Sequence, residues 1–322
     1  MRVLSWVFLL LAASLASASL PYGAIVVDAA SGKALYRKGA DVPTQPASLT
    51  KMMTLLLTFR ENATGRLPWG RKLRVSAHAA RQAPSSLGLY PGKTVTVRQA
   101  VLATITKSAN DAAVVLAENI AGSESAFVVR MNQEARRLGM KSTVFCNASG
   151  LPNKRQVSTA QDMAQLSREL IRRYPKYYPL FATKSFTYDR HSYVNHNKLL
   201  GRARGGVVVD GLKTGFVNAS GFNLAASAVK GKRRLIVVVL GGPNRLWRDA
   251  RVSHLFQYGF EGRAAHPLLA VHRPPQKGRT RQELEEDDVI GDLIRSLNFE
   301  PEVAPPPKNA KKRSSVRHVS QS

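Results

Sequence analysis

The chain has one cysteine, Cys146, among its 322 residues. A lone cysteine cannot form an intramolecular disulfide, so the fold is not a disulfide-stapled scaffold and must depend on a hydrophobic core. No histidine or second cysteine stands near Cys146 at the spacing of metal ligands, and we expect no metal site and no cofactor. Cys146 is therefore predicted to be a small, buried apolar residue.

Acidic residues are also scarce, with 21 Asp and Glu against 48 Lys and Arg and a formal net charge of +27 at pH 7. Such a charge attracts anionic polymers without identifying them. No zinc-finger spacing, aromatic RNA-binding strand or clear helix-turn-helix accompanies it, so no specific nucleic-acid partner is expected. The basic residues are spread along the chain, which favours a generally basic surface over one dedicated patch.

Long apolar runs are absent after the N-terminus. Arg2 precedes an apolar stretch from Val3 to Ala13, and Ala16-Ser17-Ala18 has the A-x-A form of a cleavage site. This order is typical of a secretory signal peptide, and the apolar stretch is short for a membrane span. We therefore predict a signal peptide over residues 1–18 and a periplasmic or secreted protein. An uncleaved N-terminal anchor is the alternative, and membrane attachment stays open.

Hydrophobic periodicity divides residues 19–262 into two strand-rich ends and a helical middle. The stretch from about 73 to 174 is predicted to be a mostly helical insert, in which Ser158 begins a capping box that opens a helix ending at Tyr174. Strands and a closing helix are expected at 23–28, 34–37, 207–215, 223–229, 235–240 and 246–258. A sheet built from both ends, with helices packed on it, predicts an α+β fold.

The composition changes beyond Gly262. His272-Arg273-Pro274-Pro275 is typical of a linker, and an acidic cluster then precedes a possible short amphipathic helix over residues 285–299. Its acidic start argues against a helix that lies on a membrane surface. A proline-rich stretch leads into a basic tail that is predicted to be disordered.

The chemistry is predicted to begin at Pro46-Ala47-Ser48-Leu49-Thr50-Lys51, where a buried helix is expected to start at Ser48. Ser48 and Lys51 are three positions apart, so their side chains share one helix face. A serine hydroxyl needs a base to become a nucleophile, and a lysine can be that base if burial lowers its pKa. Taken alone the pattern is weak, because it recurs at Ser227–Lys230 and because an N-cap and a solvated lysine would also explain it.

Two further motifs follow. Ser108-Ala109-Asn110 stands at a predicted junction between two helices, where polar side chains can point into a cleft, although turn and cap residues would look the same. Lys213-Thr214-Gly215 lies on a predicted strand and occurs once in the chain.

In this order, the three motifs resemble the S-x-x-K, S-x-N and K-T-G set of penicillin-binding proteins and serine β-lactamases. Their neighbours narrow the resemblance to the low-molecular-mass D-alanyl-D-alanine carboxypeptidases, over about Leu20 to Gly262. The stretches that carry it are Pro46–Thr54, Lys107–Ala113, Asn147–Leu151 and Asp210–Gly215. The resemblance implies a β-lactamase/transpeptidase-like fold, in which an antiparallel sheet is flanked by helices and joined to an all-helical subdomain.

The same resemblance implies a role for each motif residue. Ser48 would attack the D-Ala-D-Ala peptide bond, Lys51 would be the general base, and Ser108 would relay a proton to the leaving nitrogen. Asn110 would orient Lys51 and the peptide.

Besides Asn110, the substrate-binding residues implied by the resemblance lie on one strand. Lys213 and Thr214 would hold the substrate carboxylate, and Gly215 would let the substrate backbone lie along the strand. The backbone N–H groups of Ser48 and Phe216 would form the oxyanion hole. Some relatives carry histidine in place of Phe216, which leaves the tuning of deacylation open. His196 lies in a stretch that lines the cleft in relatives, with an ordinary structural histidine as the alternative.

The implied activity is removal of the terminal D-alanine from peptidoglycan stem peptides through an acyl-enzyme on Ser48, with β-lactams as covalent inhibitors. A D,D-endopeptidase on peptidoglycan cross-links would use the same residues. No convincing glutamate for fast deacylation is found, which argues against a class A β-lactamase. A non-catalytic basic protein that binds wall or lipid polyanions is the alternative from another class. It would not need Ser48 and does not explain three motifs in order.

Overall fold

Residues 20–262 are described by this computed structural model. The predicted signal peptide at 1–18 and the predicted linker, short helix and basic tail at 263–322 lie outside the described residues. The strands are β1 (Gly23–Asp28), β2 (Ala34–Lys38), β3 (Lys72–Arg74), β4 (Thr94–Thr96), β5 (Ser185–Tyr188), β6 (His191–Val194), β7 (Ala203–Arg204), β8 (Val207–Val217), β9 (Gly221–Lys230) and β10 (Arg233–Gly242). The helices are α1 (Lys51–Ala63), α2 (Ala77–Ala80), α3 (Val97–Thr106), α4 (Asn110–Ala121), α5 (Glu124–Arg137), α6 (Ala160–Arg173) and α7 (Arg245–Glu261), with 3-10 turns at Ala47–Thr50 and Tyr178–Ala182.

Both ends of this stretch contribute to one antiparallel sheet of six strands in the order β2-β1-β10-β9-β8-β7. β1 joins the two ends by pairing with β10, with Gly23 opposite Leu240 and Asp28 opposite Leu235. The α+β architecture predicted from the sequence is confirmed, because the mostly helical stretch from α2 to α6 stands between β2 and the last strands.

The centre of the sheet is covered on both faces, as the continuous apolar run in β10 predicts. Each residue from Leu235 to Leu240 is fully buried. Ile236 and Val238 belong to the core that the sheet shares with the helices. On the other face α7 packs so closely that a Cβ at Gly259 would lie 2.6 Å from Leu235 Cδ1.

Helix α6 begins one residue later than the sequence predicts. Thr159 is its N-cap, and its hydroxyl accepts a hydrogen bond from Asp162 N at 3.1 Å. Ser158 is unable to cap the helix because its backbone pairs with Thr44 and its hydroxyl lies 2.8 Å from Thr143 Oγ1. The helix ends at Arg173, one residue before the predicted end.

The hairpin of β5 and β6 is absent from the sequence prediction. Its turn residues Asp189 and Arg190 both have positive φ, at 44° and 63°. Such turns usually contain glycine or asparagine, and without them the sequence gives no hairpin signal. The hairpin packs beside α3, and the chain then passes through His196 towards β8.

One edge of β8 positions the site. β7 pairs only with Val207 and Val208, so among the described residues no strand covers that edge from Lys213 to Val217. The same part of β8 contacts the 3-10 turn that carries Ser48.

Within residues 20–262 no single helix is long and apolar enough to cross a bilayer, and α4 with α5 passes that test only as a pair bent by 85°.

Candidate active site

Ser48 lies in the 3-10 turn, and Lys51 is the first residue of α1. The helix is thus preceded by a tight turn rather than starting at Ser48. The two side chains still meet as predicted, with Lys51 Nζ 3.0 Å from Ser48 Oγ.

The amine of Lys51 is fully buried and has three oxygen partners. Besides Ser48 Oγ, it donates to Asn110 Oδ1 at 2.7 Å and to the backbone carbonyl of Ser149. Burial, and then the charge of Lys213, hold the pKa of Lys51 well below its usual value, while Asp111 partly opposes them. A neutral amine has two N–H groups and one lone pair. With Asn110 and Ser149 as acceptors, the lone pair of a neutral Lys51 would face the Ser48 hydroxyl.

Asn110 and Ser108 lie at the start of α4, where the sequence places a helix junction. Asn110 is fixed on both sides, since its Nδ2 donates to Ala83 O at 3.1 Å and its backbone N–H donates to Ser85 O. Ser108 has φ +60°, a region in which non-glycine residues are strained. Its buried hydroxyl has no hydrogen-bond partner within residues 20–262. The structure therefore leaves this hydroxyl available to a ligand.

Lys213 supplies a second buried amine to the site. Its Nζ donates to the Thr214 carbonyl at 3.1 Å. Burial, followed by the charge of Arg248, lowers the pKa of Lys213 to about 7. Thr214 is 7% exposed and lies on the stretch of β8 whose edge no described strand covers.

Gly215 is required for a reason beyond the one implied by the resemblance. A Cβ at Gly215 would lie 3.0 Å from both Pro46 O and Ser48 N, so the segment that carries the nucleophile fills the space a side chain would need. Gly150 lies closer still to the nucleophile segment, because a Cβ added there would lie 1.9 Å from Ala47 O. The backbone of Ser48 is thus held between two glycines, one from β8 and one from the loop after α5.

Phe216 is 51% exposed, and its ring centroid is 4.4 Å from that of Phe222 on the neighbouring strand. Successive residues of a strand point to opposite faces, so the ring of Phe216 lies on the other face of β8 from Lys213 and Gly215.

His196 lies at the surface, yet partial burial of its ring, followed by the charges of Lys213 and Lys107, lowers its pKa to about 4. His196 is therefore close to the lysines of the cleft and uncharged near neutral pH.

Two buried polar residues that the sequence prediction missed support the site. Asp111 accepts hydrogen bonds from the backbone N–H groups of Leu87 and Leu89, and it thereby holds the loop whose carbonyls fix Asn110. Asn223 on β9 donates to Gln45 O at 3.2 Å, next to the nucleophile segment. A buried acid beside Asn110 and an asparagine inside an apolar strand were the available signals.

Cys146 is half-buried, so it is less buried than the sequence predicts. Among residues 20–262 no group of three His, Cys, Asp or Glu side chains forms a metal-binding cluster. The site instead combines a serine, a buried amine with a lowered pKa, an unpartnered hydroxyl, a second buried lysine and an open strand edge, which together suit acyl transfer.

Comparisons with known proteins point to the same chemistry. A family profile described as D-alanyl-D-alanine carboxypeptidase matches residues 15–244. D-alanyl-D-alanine carboxypeptidase DacF of Bacillus subtilis is 36% identical over 268 residues, which are 80% of this chain and 67% of the relative. DacA of Escherichia coli is 37% identical over 242 residues, 73% of this chain and 60% of the relative. The chain thus spans about three-fifths to two-thirds of the length of these relatives.

Solved structures agree. Penicillin-binding protein 6B from Escherichia coli matches with a TM-score of 0.70 and 36% identity over 76% of this chain and 78% of that chain. Penicillin-binding protein D2 from Listeria monocytogenes, solved in an ampicillin-bound form, matches with a TM-score of 0.67 and 32% identity over 76% of this chain and 99% of that chain. The penicillin-binding-protein fold predicted from the motifs is confirmed, and the chain belongs to the D-alanyl-D-alanine carboxypeptidase family.

Proposed function

We propose that this chain is a serine-type D-Ala-D-Ala carboxypeptidase that removes the terminal D-alanine from peptidoglycan stem peptides through an acyl-enzyme on Ser48. The observation that carries the proposal is the fully buried amine of Lys51, 3.0 Å from Ser48 Oγ and with a lowered pKa. An exposed lysine would be protonated at neutral pH and could not accept the serine proton.

Acylation uses the groups around Ser48. Lys51 takes the proton from Ser48 Oγ as that oxygen bonds to the carbonyl carbon of the D-Ala-D-Ala peptide bond. The backbone N–H groups of Ser48 and Phe216 stabilise the oxyanion that forms. The Ser108 hydroxyl, which has no partner within residues 20–262, passes a proton to the leaving nitrogen as the C–N bond breaks. In exchange it takes up the proton that Lys51 removed from Ser48, so Lys51 is neutral again. An ester on Ser48 and free D-alanine result.

Substrate binding uses the open edge of β8. A peptide laid along Lys213–Val217 would extend the sheet by one strand, as extended peptides do at exposed sheet edges. Its terminal carboxylate would meet Lys213 and Thr214. Because an opposite charge favours the ammonium form, the bound carboxylate would raise the pKa of Lys213 from about 7.

Water then hydrolyses the ester and frees Ser48. A β-lactam would acylate the same oxygen, because its ring amide mimics the substrate bond. The ampicillin-bound and cefotaxime-bound structures of penicillin-binding protein D2 from Listeria monocytogenes support this part of the proposal. Phe216 offers no group to activate the water, so residues elsewhere in the cleft would set the deacylation rate.

We also propose that the protein acts in the cell envelope after export, where peptidoglycan lies. The signal-peptide pattern over residues 1–18 supports this localisation. Cell fractionation and the mass of the mature N-terminus test it. Cleavage after Ala18 is the expected result, and an intact N-terminus in a cytoplasmic fraction would contradict it.

The proposed activity is tested by mass spectrometry of the purified protein after incubation with a penicillin, beside a Ser48→Ala variant. We expect one adduct, on Ser48, that the folded variant lacks. Release of D-alanine from a peptide ending in D-Ala-D-Ala then shows the carboxypeptidase reaction, whereas cleavage confined to cross-linked muropeptides would indicate an endopeptidase. A folded wild-type protein that forms no adduct would overturn the acyl-enzyme proposal.

A further inference from the structure

The Lys51 amine depends on a loop that belongs to none of the three motifs. We call residues 147–151 the Ser149 loop, after the carbonyl that accepts a hydrogen bond from Lys51. Thr54, one turn after Lys51 on α1, donates from its hydroxyl to Ala148 O at 2.7 Å. The loop therefore meets α1 at two successive carbonyls.

A carboxylate holds this loop from the other side. Glu124 is the first residue of α5, and its Oε1 accepts a hydrogen bond from Ala148 N at 2.9 Å. Its Oε2 lies 2.7 Å from His78 Nε2, and the carboxylate side chain is 15% exposed. The positive end of the helix dipole favours a carboxylate at this position.

His78, the partner of Glu124, belongs to a segment that contacts the site at a different residue, Asn110. His78 lies on α2, and the chain then continues directly to Ala83 and Ser85. The carbonyls of Ala83 and Ser85 fix Asn110, which is the second acceptor of Lys51. Glu124 thus bridges the two segments that position both acceptors of the amine.

We propose that Glu124 is a positioning residue for Lys51, because its bond to Ala148 N fixes the Ser149 carbonyl and so keeps the lone pair of the amine directed at Ser48. The inference rests on the proposed function of Lys51 as general base. Glu124 reaches Lys51 only through Ala148 and Ser149. Its loss therefore alters the orientation of the base while Lys51, Ser48 and the strand edge of β8 all remain.

Two conservative variants of Glu124 separate the effect of side-chain length from the effect of charge. Glu124→Asp keeps the charge but shortens the side chain, so it loses Ala148 N. Glu124→Gln keeps the length and one carbonyl oxygen, so it can still accept from Ala148 N. Displacement of a reacting group by about 1 Å can cost about a hundredfold in rate. We expect Glu124→Asp to lower the second-order rate of acylation by a fluorescent penicillin by about tenfold to a hundredfold, and Glu124→Gln to stay within about threefold.

Turnover of a D-Ala-D-Ala peptide gives a second readout. We expect Glu124→Asp to lower kcat with little change in KM, because Glu124 lies away from the substrate-binding strand. Glu134 on the same helix is the matched control: its carboxylate is also buried, but it pairs with Arg60 and Arg137 instead of the Ser149 loop. Glu134→Gln should lower Tm and leave the acylation rate of the folded protein unchanged.

The outcomes distinguish this inference from the proposed function. Slow acylation of Glu124→Asp together with near wild-type acylation of Glu124→Gln supports the positioning role. Equal rates in all variants, a Glu124→Gln as slow as Glu124→Asp, or an equal loss in Glu134→Gln would overturn it while the reactive wild-type protein upholds the acyl-enzyme. A wild-type protein that does not react overturns both.

Discussion

At the scale of single residues, the site holds groups that a stable fold would avoid. Lys51 and Lys213 are both buried, and neither makes an ion pair within residues 20–262. Ser108 adopts a positive φ, and its buried hydroxyl has no partner there. Such features lower stability and are typical of functional sites, so their removal should separate stability from activity.

Lys213→Met is expected to raise Tm and abolish most peptide turnover. The pKa of Lys213 is about 7 in the folded protein and near the ordinary value of about 10.4 in the unfolded chain. The unfolded state therefore binds more protons between these values, and the lysine destabilises the fold fully below pH 7 and not at all above about pH 10.4. We expect a rise in Tm of at least about 2 °C at pH 6 that shrinks by pH 9.5.

Thermal unfolding at the two pH values checks this expectation. Lys232→Met, in the exposed turn between β9 and β10, is the control and should change Tm by less than about 1 °C at either pH. A Lys213→Met protein that is less stable than wild type at pH 6 would show that the buried amine supports the fold.

Ser108 allows a similar test with two substitutions. Ser108→Ala and Ser108→Gly both remove the hydroxyl, and we expect each to lower peptide turnover by about 10²- to 10⁴-fold, the range of a lost proton-transfer group. Glycine accepts φ +60° without strain, so Ser108→Gly should unfold at or above the temperature of Ser108→Ala. Kinetics and calorimetry on both proteins measure this. Turnover near that of wild type in a stable Ser108→Gly would exclude the proposed relay.

At the scale of elements, the site is the meeting point of a 3-10 turn, a helix junction and a strand edge. The turn can approach β8 and the Ser149 loop only because Gly215 and Gly150 face it without side chains. The close approach of these three backbones leaves the Ser48 segment little room to move.

Gly150→Ala should therefore abolish acylation. Its φ of +84° disfavours alanine, and the new Cβ would lie 1.9 Å from Ala47 O, beside the nucleophile. Gly65→Ala is the matched control, since it has φ +76° but nothing within 4 Å of its Cβ position. We expect it to cost about 1 kcal/mol of stability with normal acylation. Penicillin acylation and Tm measured on both proteins test this prediction. Normal acylation in Gly150→Ala would show that the close approach of Gly150 to Ala47 does not position Ser48.

The elements with strong periodicity could be predicted from the sequence, and the contacts between them could not. Hydrophobic pattern located the strands that pair as β1, β8, β9 and β10, and the spacing of Ser48 and Lys51 predicted their contact. The Ser149 carbonyl and Ala148 N are backbone groups, and such groups leave no trace in residue identity. The reason for Gly215 was also hidden, because it depends on which segment folds against β8.

At the scale of the whole molecule, the helical part and the sheet, which lie on the two sides of the cleft, share one core. Leu55 of α1, Val101 of α3 and Leu166 of α6 lie in the same buried cluster as Ile25 and Val238 of the sheet. The helical part is therefore not an independent unit within residues 20–262, and the cleft between it and β8 forms only when the whole core is packed.

This shared core predicts that the protein loses activity and structure together. Since each acceptor of Lys51 comes from a different segment, we expect that no partly folded form retains the site. In a urea titration, the fraction of protein that is acylated by a penicillin in a brief pulse should fall with the same midpoint as far-UV circular dichroism. Acylation that disappears at lower urea, while the dichroism stays native, would show that the Ser149 loop or the segment fixing Asn110 opens on its own. The site would then have a lower local stability than the core on which it is built.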